Sequence, residues 1–390
     1  MGFGSGPVVI AGVSTRAFAE SARRAGVACA SVDAFGDLDQ KVLLPNLALG
    51  RDLGRRYHAA AAAALSHRFA ARAAAYVANF ENHPSAVRRL AAGRRLLGNA
   101  PAVLARARDP WALADVVTAA GARVPLTLRP ADAGGADPAR SWLRKPVRGG
   151  GGSGVRAWRP GTPLGAREMV QERILGVLAS AVFVADGRRA RVLGVSHQLS
   201  GDAAFGAPGH RYAGSIFPLR LAGPGGAAVR ERAAALADAL TAAFELRGVN
   251  GVDFVLRDGD VFVLELNPRY PSSAELVERA TGASIFQAHG AACDGELPAG
   301  TPSPTADGCW GKAIVYARGD VVTGDTRPWL ERDDRRDVPF PGERIRRGHP
   351  ICTVFARGAT PSDCHARLAA AAAAVEEELH GAGRTEPGRV

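Results

Sequence analysis

Residues 249–278 read V-N-G-V-D-F-V-L-R-D-G-D-V-F-V-L-E-L-N-P-R-Y-P-S-S-A-E-L-V-E. Val252, Phe254 and Leu256 alternate with Asp253 and Val255, and Val261 to Leu266 forms a second apolar run. Asp258-Gly259 between two apolar runs is a strong hairpin signal. Glu265 and Asn267 are two residues apart and so share one face of the returning strand. Asp253 can face them from its partner. Two carboxylates and an amide oxygen converging there form a hard, all-oxygen donor set, the kind Mg²⁺ prefers. Arg269 follows two residues later and can hold an anion beside such a metal. Glu265 lies in V-F-V-L-E-L-N-P, a run that otherwise reads as buried, where a carboxylate without a partner would be costly.

Working outward, the 390 residues suffice for two or three domains and a large core. Hydrophobic content of 47% and charged content of 22% fit an ordinary globular protein. No apolar run reads as a membrane span and no leader peptide stands at the N-terminus, so a cytoplasmic protein is expected. The five cysteines are scattered without zinc-type spacing, which fits reduced thiols. The net charge of +11 is almost all arginine, spread through Ala-rich segments with no aromatic-basic stripe. Nucleic-acid binding is therefore not expected, and an anionic small substrate accounts for part of the excess. Lysine occurs only at 41, 145 and 312. Where most cations are Arg, a Lys suggests that a compact ammonium is wanted.

Along the chain, a strand in 7–12, a helix capped by Ser14 or Thr15, and a strand in 27–33 make a β-α-β opening of doubly wound type. No Gly-x-Gly-x-x-Gly fingerprint accompanies it, so a dinucleotide site is not expected. The pattern further predicts a short strand over 41–44, a helix over 59–75, a strand over 76–80 and helices over 85–97 and 111–120. Strands over 141–147 and 156–158 flank R-G-G-G-G-S-G-V, residues 148–155. Strand, Gly-rich loop, strand is a flap whose amides can close over phosphates. It is not a Walker loop, since the Gly-Lys-Ser/Thr order and the following helix are absent. Lys145 lies just before it. Strands over 179–185 and 191–197, a helix over 227–244, a helix over 272–280 capped by Ser272 or Ser273, and a mostly β segment over 312–356 follow. A helix over 362–379 closes the chain, with 381–390 expected to be disordered.

In order, K-P-V-R-G-G-G-G-S-G-V, V-Q-E-R-I-L-G, V-N-G-V-D-F and L-E-L-N-P-R resemble the motifs of the ATP-grasp superfamily over roughly residues 100–290. The resemblance implies an α/β (α+β) protein with three parts. They are a Rossmann-like pre-ATP-grasp domain (1–104), an ATP-grasp domain of two subdomains (105–292, flap about 140–172), and a small mostly β C-terminal unit (293–390). It implies ATP and Mg²⁺ as cofactors, with Mn²⁺ as a substitute. Lys145 would bind the ATP phosphates, helped by Arg108 and by Gly150, Gly151, Gly152 and Ser153 of the flap. Gln171, Glu172 and Ile174 would form the adenine hinge. Val177 and Leu178 stand where the family usually has a ribose-binding carboxylate. Asp253, Glu265 and Asn267 would hold the metal, and Arg269 would stabilise an acyl phosphate.

The segments F-E-N-H-P (80–84), Q-L-S-G-D (198–202), Y-A-G-S-I-F-P (212–218) and P-I-C-T-V (350–354) look like those of carboligases associated with tyramine– or tyrosine–glutamate ligation in methanofuran-type cofactor biosynthesis. That resemblance marks Gln198, Arg211, Tyr212 and Ser215 as substrate residues, with Arg211 binding a carboxylate and Tyr212 or Phe217 stacking on a phenol. His197 and His210 are candidates for handling the amine. The chemistry itself is simple: a carboxylate becomes electrophilic toward an amine once ATP converts it to an acyl phosphate. An ATP-dependent carboxylase or kinase on the same scaffold, and a non-catalytic nucleotide binder, stay open beside the carboxylate–amine ligase. The expected partners are small-molecule acid and amine substrates, with neither nucleic acid nor membrane, and a homodimer is compatible with the sequence.

Overall fold

Runs of small and apolar residues such as V-V-I-A and A-A-A-Y suit strands buried on both faces, and they build the first sheet. The computed structural model describes residues 6–221 and 225–382. Its first five strands are β1 (Val8–Ala11), β2 (Cys29–Asp33), β3 (Asn46–Ala48), β4 (Ala73–Tyr76) and β5 (Arg95–Leu97). They lie parallel in the order β3-β2-β1-β4-β5. The helix Arg16–Arg24 packs Phe18, Ala19 and Ala22 into the core.

Four expectations in this region are corrected. Residues 41–44 belong to the end of a helix, Leu38–Leu43, and the third strand is Asn46–Ala48. Pro45 separates them, since it cannot extend the helix. The Ala-rich helix stops at Leu65, and its last alanines, Ala73–Ala75, form β4. High helix propensity there yields to a buried sheet position. Residues 77–80 leave the strand for a 3₁₀ turn, Phe80–Asn82. The helix expected over 85–97 ends at Leu90, and Arg95–Leu97 is β5.

A small sheet follows, built of β6 (Thr127–Leu128), β7 (Trp142–Pro146), β8 (Arg156–Trp158) and β9 (Glu168–Glu172), in the order β6-β9-β7-β8. The large sheet takes β10 (Val177–Asp186), β11 (Ala190–Ser200), β12 (Tyr212–Phe217), β13 (Arg247–Arg257), β14 (Asp260–Asn267) and β15 (Cys309–Tyr316). The short strands β16 (Val321–Val322) and β18 (Arg344–Ile345) pair with each other. β17 (Arg335–Arg336) and β19 (Pro350–Gly358) join the large sheet, whose order is β14-β13-β10-β11-β12-β15-β19-β17, antiparallel throughout. The strands after residue 293 thus extend the large sheet.

Both faces of that sheet are covered. Ala181, Phe183, Val252 and Phe254 meet the helix Gly225–Phe244 through Leu236, Leu240 and Phe244. Val182, Val184 and Val249 point the other way, toward the helices Ala274–Thr281 and Ile285–Cys293 and on to Phe18 of the N-terminal region. The period-2 alternation of these strands makes the two faces. Gly248, at φ +69°, lets β13 pass close to His289: an added Cβ would sit 2.6 Å from the imidazole. The Val249 N–H donates to His289 Nδ1 at 2.9 Å.

A buried ionic cluster ties the three regions together. Arg16, 2% exposed, donates to Asp337 Oδ1 at 2.9 Å and also to Glu275, which Lys312 Nζ reaches at 2.7 Å. The Lys312 ammonium is thus committed to the framework. Among the described residues no helix is long and apolar enough to cross a membrane. The closing helix runs Pro361–Ala382, so Gly381 and Ala382 are helical, and the rest of the expected disordered tail lies outside the described residues.

Candidate active site

The hairpin of β13 and β14 turns at Asp258-Gly259 as expected, with Gly259 at φ +82°. Register puts Asp253 directly opposite Glu265 and Gly251 opposite Asn267. An irregularity after Asp253 leaves Leu264 as an extra residue, so that Phe254 pairs with Val263. The bulge re-aims the end of β14, which bulges near functional sites commonly do. Asn267 Nδ2 donates to Asp253 Oδ2 at 3.0 Å, which locks the third donor beside the first two. Asp253, Glu265 and Asn267 are therefore brought together as the spacing implied. Among the described residues no three His, Cys, Asp or Glu side chains gather into a metal-binding cluster, and this set has two carboxylates and one amide.

Two cations face the carboxylates. Arg108 ends the helix Pro101–Ala107 and lies 3.8 Å from Glu265 Oε2. Its other bonds go to Leu266 O at 2.8 Å, Asn82 Oδ1 at 3.1 Å and Gly149 O at 2.9 Å. Lys145 on β7 donates to Gln171 Oε1 at 2.9 Å. Burial lowers the Lys145 ammonium from its ordinary value, against the opposing pull of Glu265. Burial would raise Glu265, but Arg108 and Lys145 outweigh it and hold that carboxyl below its usual range. Burial, and then the charge of Glu265, push Asp253 up to about 7. Like charges this close need a cation, and they have three nearby. The third is Arg269, whose Nε donates to Glu81 Oε1 at 3.1 Å and whose Nη2 donates to Asn267 Oδ1 at 2.9 Å.

The glycine flap lies over these groups. Its Gly149 carbonyl is held by Arg108 and by Asn82 Nδ2, and the Tyr212 N–H donates to Gly151 O at 3.0 Å. Gly152, at φ +72°, comes so close to the loop before β12 that a Cβ would sit 1.7 Å from the His210 carbonyl oxygen. Only glycine permits that approach. Lys145, Arg108, Gly150, Gly151, Gly152 and Ser153 all line one cleft of about 2330 Å³ with Asp253, Glu265, Asn267 and Arg269.

The hinge residues divide. Gln171 spends its side chain on Lys145 and on Thr127, to which Nε2 donates at 3.1 Å. Glu172 accepts from Arg140 at 2.7 Å, which fastens β9 to the chain before β7. Ile174 belongs to an apolar cluster with Leu178, Val255 and Leu264. These four residues give the cleft an apolar lining.

At the other end of the cleft, Gln198 and Ser215 pair in register across β11 and β12, and the Tyr212 and Ser215 hydroxyls are 2.9 Å apart. Tyr316 Oη donates to Tyr212 O at 2.9 Å. Arg211 lines the cleft too; one of its N–H groups bonds the Gly348 carbonyl, and the guanidinium lies over the Tyr316 ring, 4.7 Å from its centre. Phe217 is a core residue packed under β11 and is not available to stack on a substrate. His197 is bonded to the Arg220 carbonyl at 3.0 Å and does not line the cleft, whereas His210 does. Nor do the expected helix caps form: the Thr15 hydroxyl donates to Asp33 at 2.8 Å, and Ser273 makes no cap bond.

Three residues of the cleft had no role assigned to them from sequence. Glu81 and Asn82, inside the F-E-N-H-P segment that carries part of the resemblance, reach Arg269 and Arg108. Asp37 lines the cleft, and among the described residues its carboxylate has no hydrogen bond or ion pair of its own. Nothing in the sequence distinguishes it from a helix cap.

Residues 107–273 match the ATP-grasp domain family. An uncharacterized protein of Methanocaldococcus jannaschii is 25% identical over 114 residues, covering 29% of this chain and 27% of that protein, so the match spans about a quarter of its relative. Pyruvate carboxylase of Rhizobium etli superposes with a TM-score of 0.69 at 17% identity, over 93% of this chain and 36% of that one. L-amino acid ligase of Bacillus licheniformis superposes with a TM-score of 0.65 at 16% identity, over 96% and 97% of the two chains. With the domain match and this whole-chain likeness, residues 107–273 are an ATP-grasp domain, set in a chain that has the ATP-grasp fold.

Proposed function

We propose that this chain is an ATP-dependent carboxylate–amine ligase that forms an amide through an acyl phosphate and releases ADP and phosphate. The observation that carries the reading is the single cleft holding Lys145, Arg108 and Arg269 around the opposed carboxylates of Asp253 and Glu265, beneath a glycine flap. The donor set fits Mg²⁺: the carboxylates of Asp253 and Glu265 face each other, and the Asn267 side chain stands beside Asp253. Bound there, the metal would neutralise phosphate charge as it moves between oxygens.

The chain's own groups do the rest. Ile174, Leu178 and Val255 offer an apolar wall for the base. The flap amides, Lys145 and Arg108 hold the phosphates and exclude water from them. Arg269, kept rigid by Glu81 and Asn267, supplies a forked donor for the oxygens of the acyl phosphate and of the tetrahedral adduct. The acceptor end offers Asp37 to the ammonium of the incoming amine.

Within this class, glutamate is the acid and tyrosine or tyramine the amine, as in methanofuran-type cofactor assembly, in a cytoplasmic setting. The Q-L-S-G-D and Y-A-G-S-I-F-P segments support that choice, with Tyr212 and Ser215 in the cleft. A carboxylase is the second reading, favoured by the likeness to pyruvate carboxylase. The test is product mass after incubation with ATP, Mg²⁺, glutamate and either amine. A γ-glutamyl amide with ADP is expected. AMP and pyrophosphate would overturn the acyl phosphate, ADP formation that needs bicarbonate and no amine would favour the carboxylase, and activity only with other acid–amine pairs would remove the substrate assignment.

A further inference from the structure

Two arginines of the cleft, Arg108 and Arg269, are held from the N-terminal region by adjacent residues of one 3₁₀ turn. Glu81, 1% exposed, accepts from Arg269 Nε at 3.1 Å, 188 positions along the chain. Asn82 accepts from Arg108 Nε at 3.1 Å through Oδ1 and donates to Gly149 O at 3.3 Å through Nδ2. Arg108 Nη2 reaches the same carbonyl at 2.9 Å, so one oxygen at the root of the flap is clamped by both. The second carboxylate oxygen of Glu81 is buried with no hydrogen-bond partner among the described residues. A buried carboxylate with one charged partner and one orphan oxygen is a poor way to stabilise a fold, because its desolvation is incompletely offset. It is a good way to fix one guanidinium in one plane.

We infer that Glu81 and Asn82 are positioning residues: Glu81 sets the plane of Arg269 for phosphoryl and acyl transfer, and Asn82 with Arg108 latches the flap at Gly149. The inference rests on the ligase reading for what Arg269 does, but not for the contacts themselves. It makes the N-terminal region part of the catalytic apparatus. The turn begins a few residues beyond the end of β4, so a shift of the parallel sheet against the large sheet would strain both arginine contacts together.

The test uses the full chain. Glu81→Gln keeps volume and an acceptor oxygen but loses the charge. We expect kcat to fall roughly 10- to 100-fold, the usual cost of losing a partner that orients an active group, with KM for ATP little changed and the melting temperature unchanged or raised. A merely structural Glu81 would instead lower the melting temperature and leave kcat alone. In a double-mutant cycle with Arg269→Lys, the double variant should be no slower than Arg269→Lys alone; additive losses would overturn the inference. Should Glu81→Gln fail to fold, Glu81→Asp, which keeps the charge and retracts it, carries the same cycle. Two readouts need no turnover. The Arg269 Nε–H resonance should lose its exchange protection in Glu81→Gln, and the flap amides near Gly149 should exchange faster in Asn82→Ala without nucleotide. Unchanged exchange in both would remove the positioning roles. If those changes occur while no acid–amine pair yields an amide, the ligase reading falls and the contacts stand.

Discussion

Asp253 and Glu265 stand directly opposite each other across the β13–β14 hairpin, two carboxylates in one buried register pair. The hairpin's apolar alternation and its Asp258-Gly259 turn set the juxtaposition, because a one-residue slip would turn the apolar set of one strand away from the core. Without a metal the pair is kept in bounds by Arg108 and Lys145 on Glu265, while Asp253 is pushed toward its neutral form. The first prediction follows. Glu265→Gln should cut ADP formation by at least ~100-fold, as expected when a metal-stabilised phosphoryl transfer loses one ligand. The circular dichroism spectrum should be unchanged, and Mg²⁺ should no longer raise the melting temperature in the presence of ATP. Turnover near that of the wild type in the folded variant would sink the metal assignment.

The flap gives a second prediction. Gly152→Ala places a Cβ where the His210 carbonyl stands and does so at a φ that L-residues avoid, so the flap must lift from β12. The KM for ATP should rise about 10-fold, the equivalent of ~1.4 kcal/mol of lost phosphate contact, with the melting temperature within about 2 °C. ATP with Mg²⁺ should slow hydrogen exchange over 148–154 in the wild type and much less in the variant. Equal protection in both proteins would show that the flap does not close on phosphate.

What was legible followed from short-range rules. The Asp-Gly turn and period-2 alternation placed Asp253, Glu265 and Asn267, and the glycines beside Lys145 placed the flap. The misses are of two kinds. Ala73–Ala75 reads as helix by propensity, yet sheet burial decides its state, and no local rule contains that information. The commitments of Arg211 to Gly348, of Lys312 to Glu275 and of Arg269 to Glu81 join residues 137, 37 and 188 positions apart, so sequence spacing could not show which cations were already used. Phe217 failed as a substrate residue for a similar reason: it shares a strand face with Ser215, but two residues further along that face is packed against Gly194 and Val277 and not open to the cleft.

A third prediction concerns pH. His289 is buried beside Gly248, and burial lowers it from 6.5 to about 4. Below pH 6.5 the unfolded chain takes up a proton that the folded chain refuses. Stability from this group is therefore complete above 6.5, declines as pH falls, and levels near pH 4. At about 1.4 kcal/mol per unit, the decline is on the order of 3 kcal/mol. His289→Asn keeps an acceptor for the Val249 N–H and does not titrate. It should be less stable at pH 7 through lost packing, but its denaturant midpoints should fall less between pH 6.5 and 4.5. Parallel curves for the two proteins would show that His289 is not the titrating group.

The last prediction concerns the acceptor. Asp37 caps the helix Leu38–Leu43 without bonding its backbone, and it faces the cleft beside the Asp337, Asp39 and Arg16 cluster. Burial, then the charges of Asp337 and Asp39, raise it well above its ordinary value. Asp337 is spent on Arg16 and Thr353, and Asp39 accepts from the Asp337 and Val338 amides, so Asp37 is the carboxylate left to meet a ligand's charge. An ammonium arriving there would favour the ionised form and make a charge-assisted bond worth about 1.5–3 kcal/mol. Asp37→Asn should raise the KM for the amine by roughly 10- to 100-fold, by the same arithmetic. KM for ATP should stay within about twofold, because among the described residues no bond joins Asp37 to Lys145, Arg108 or the flap. Amine affinity in the wild type should also improve as pH rises through the titration of Asp37, and that rise should be absent in Asp37→Asn. Steady-state kinetics with each substrate varied in turn, across the pH range in which the enzyme is stable, reads all three. An unchanged amine KM with a raised ATP KM would move Asp37 out of the acceptor end and leave the amine to be held elsewhere.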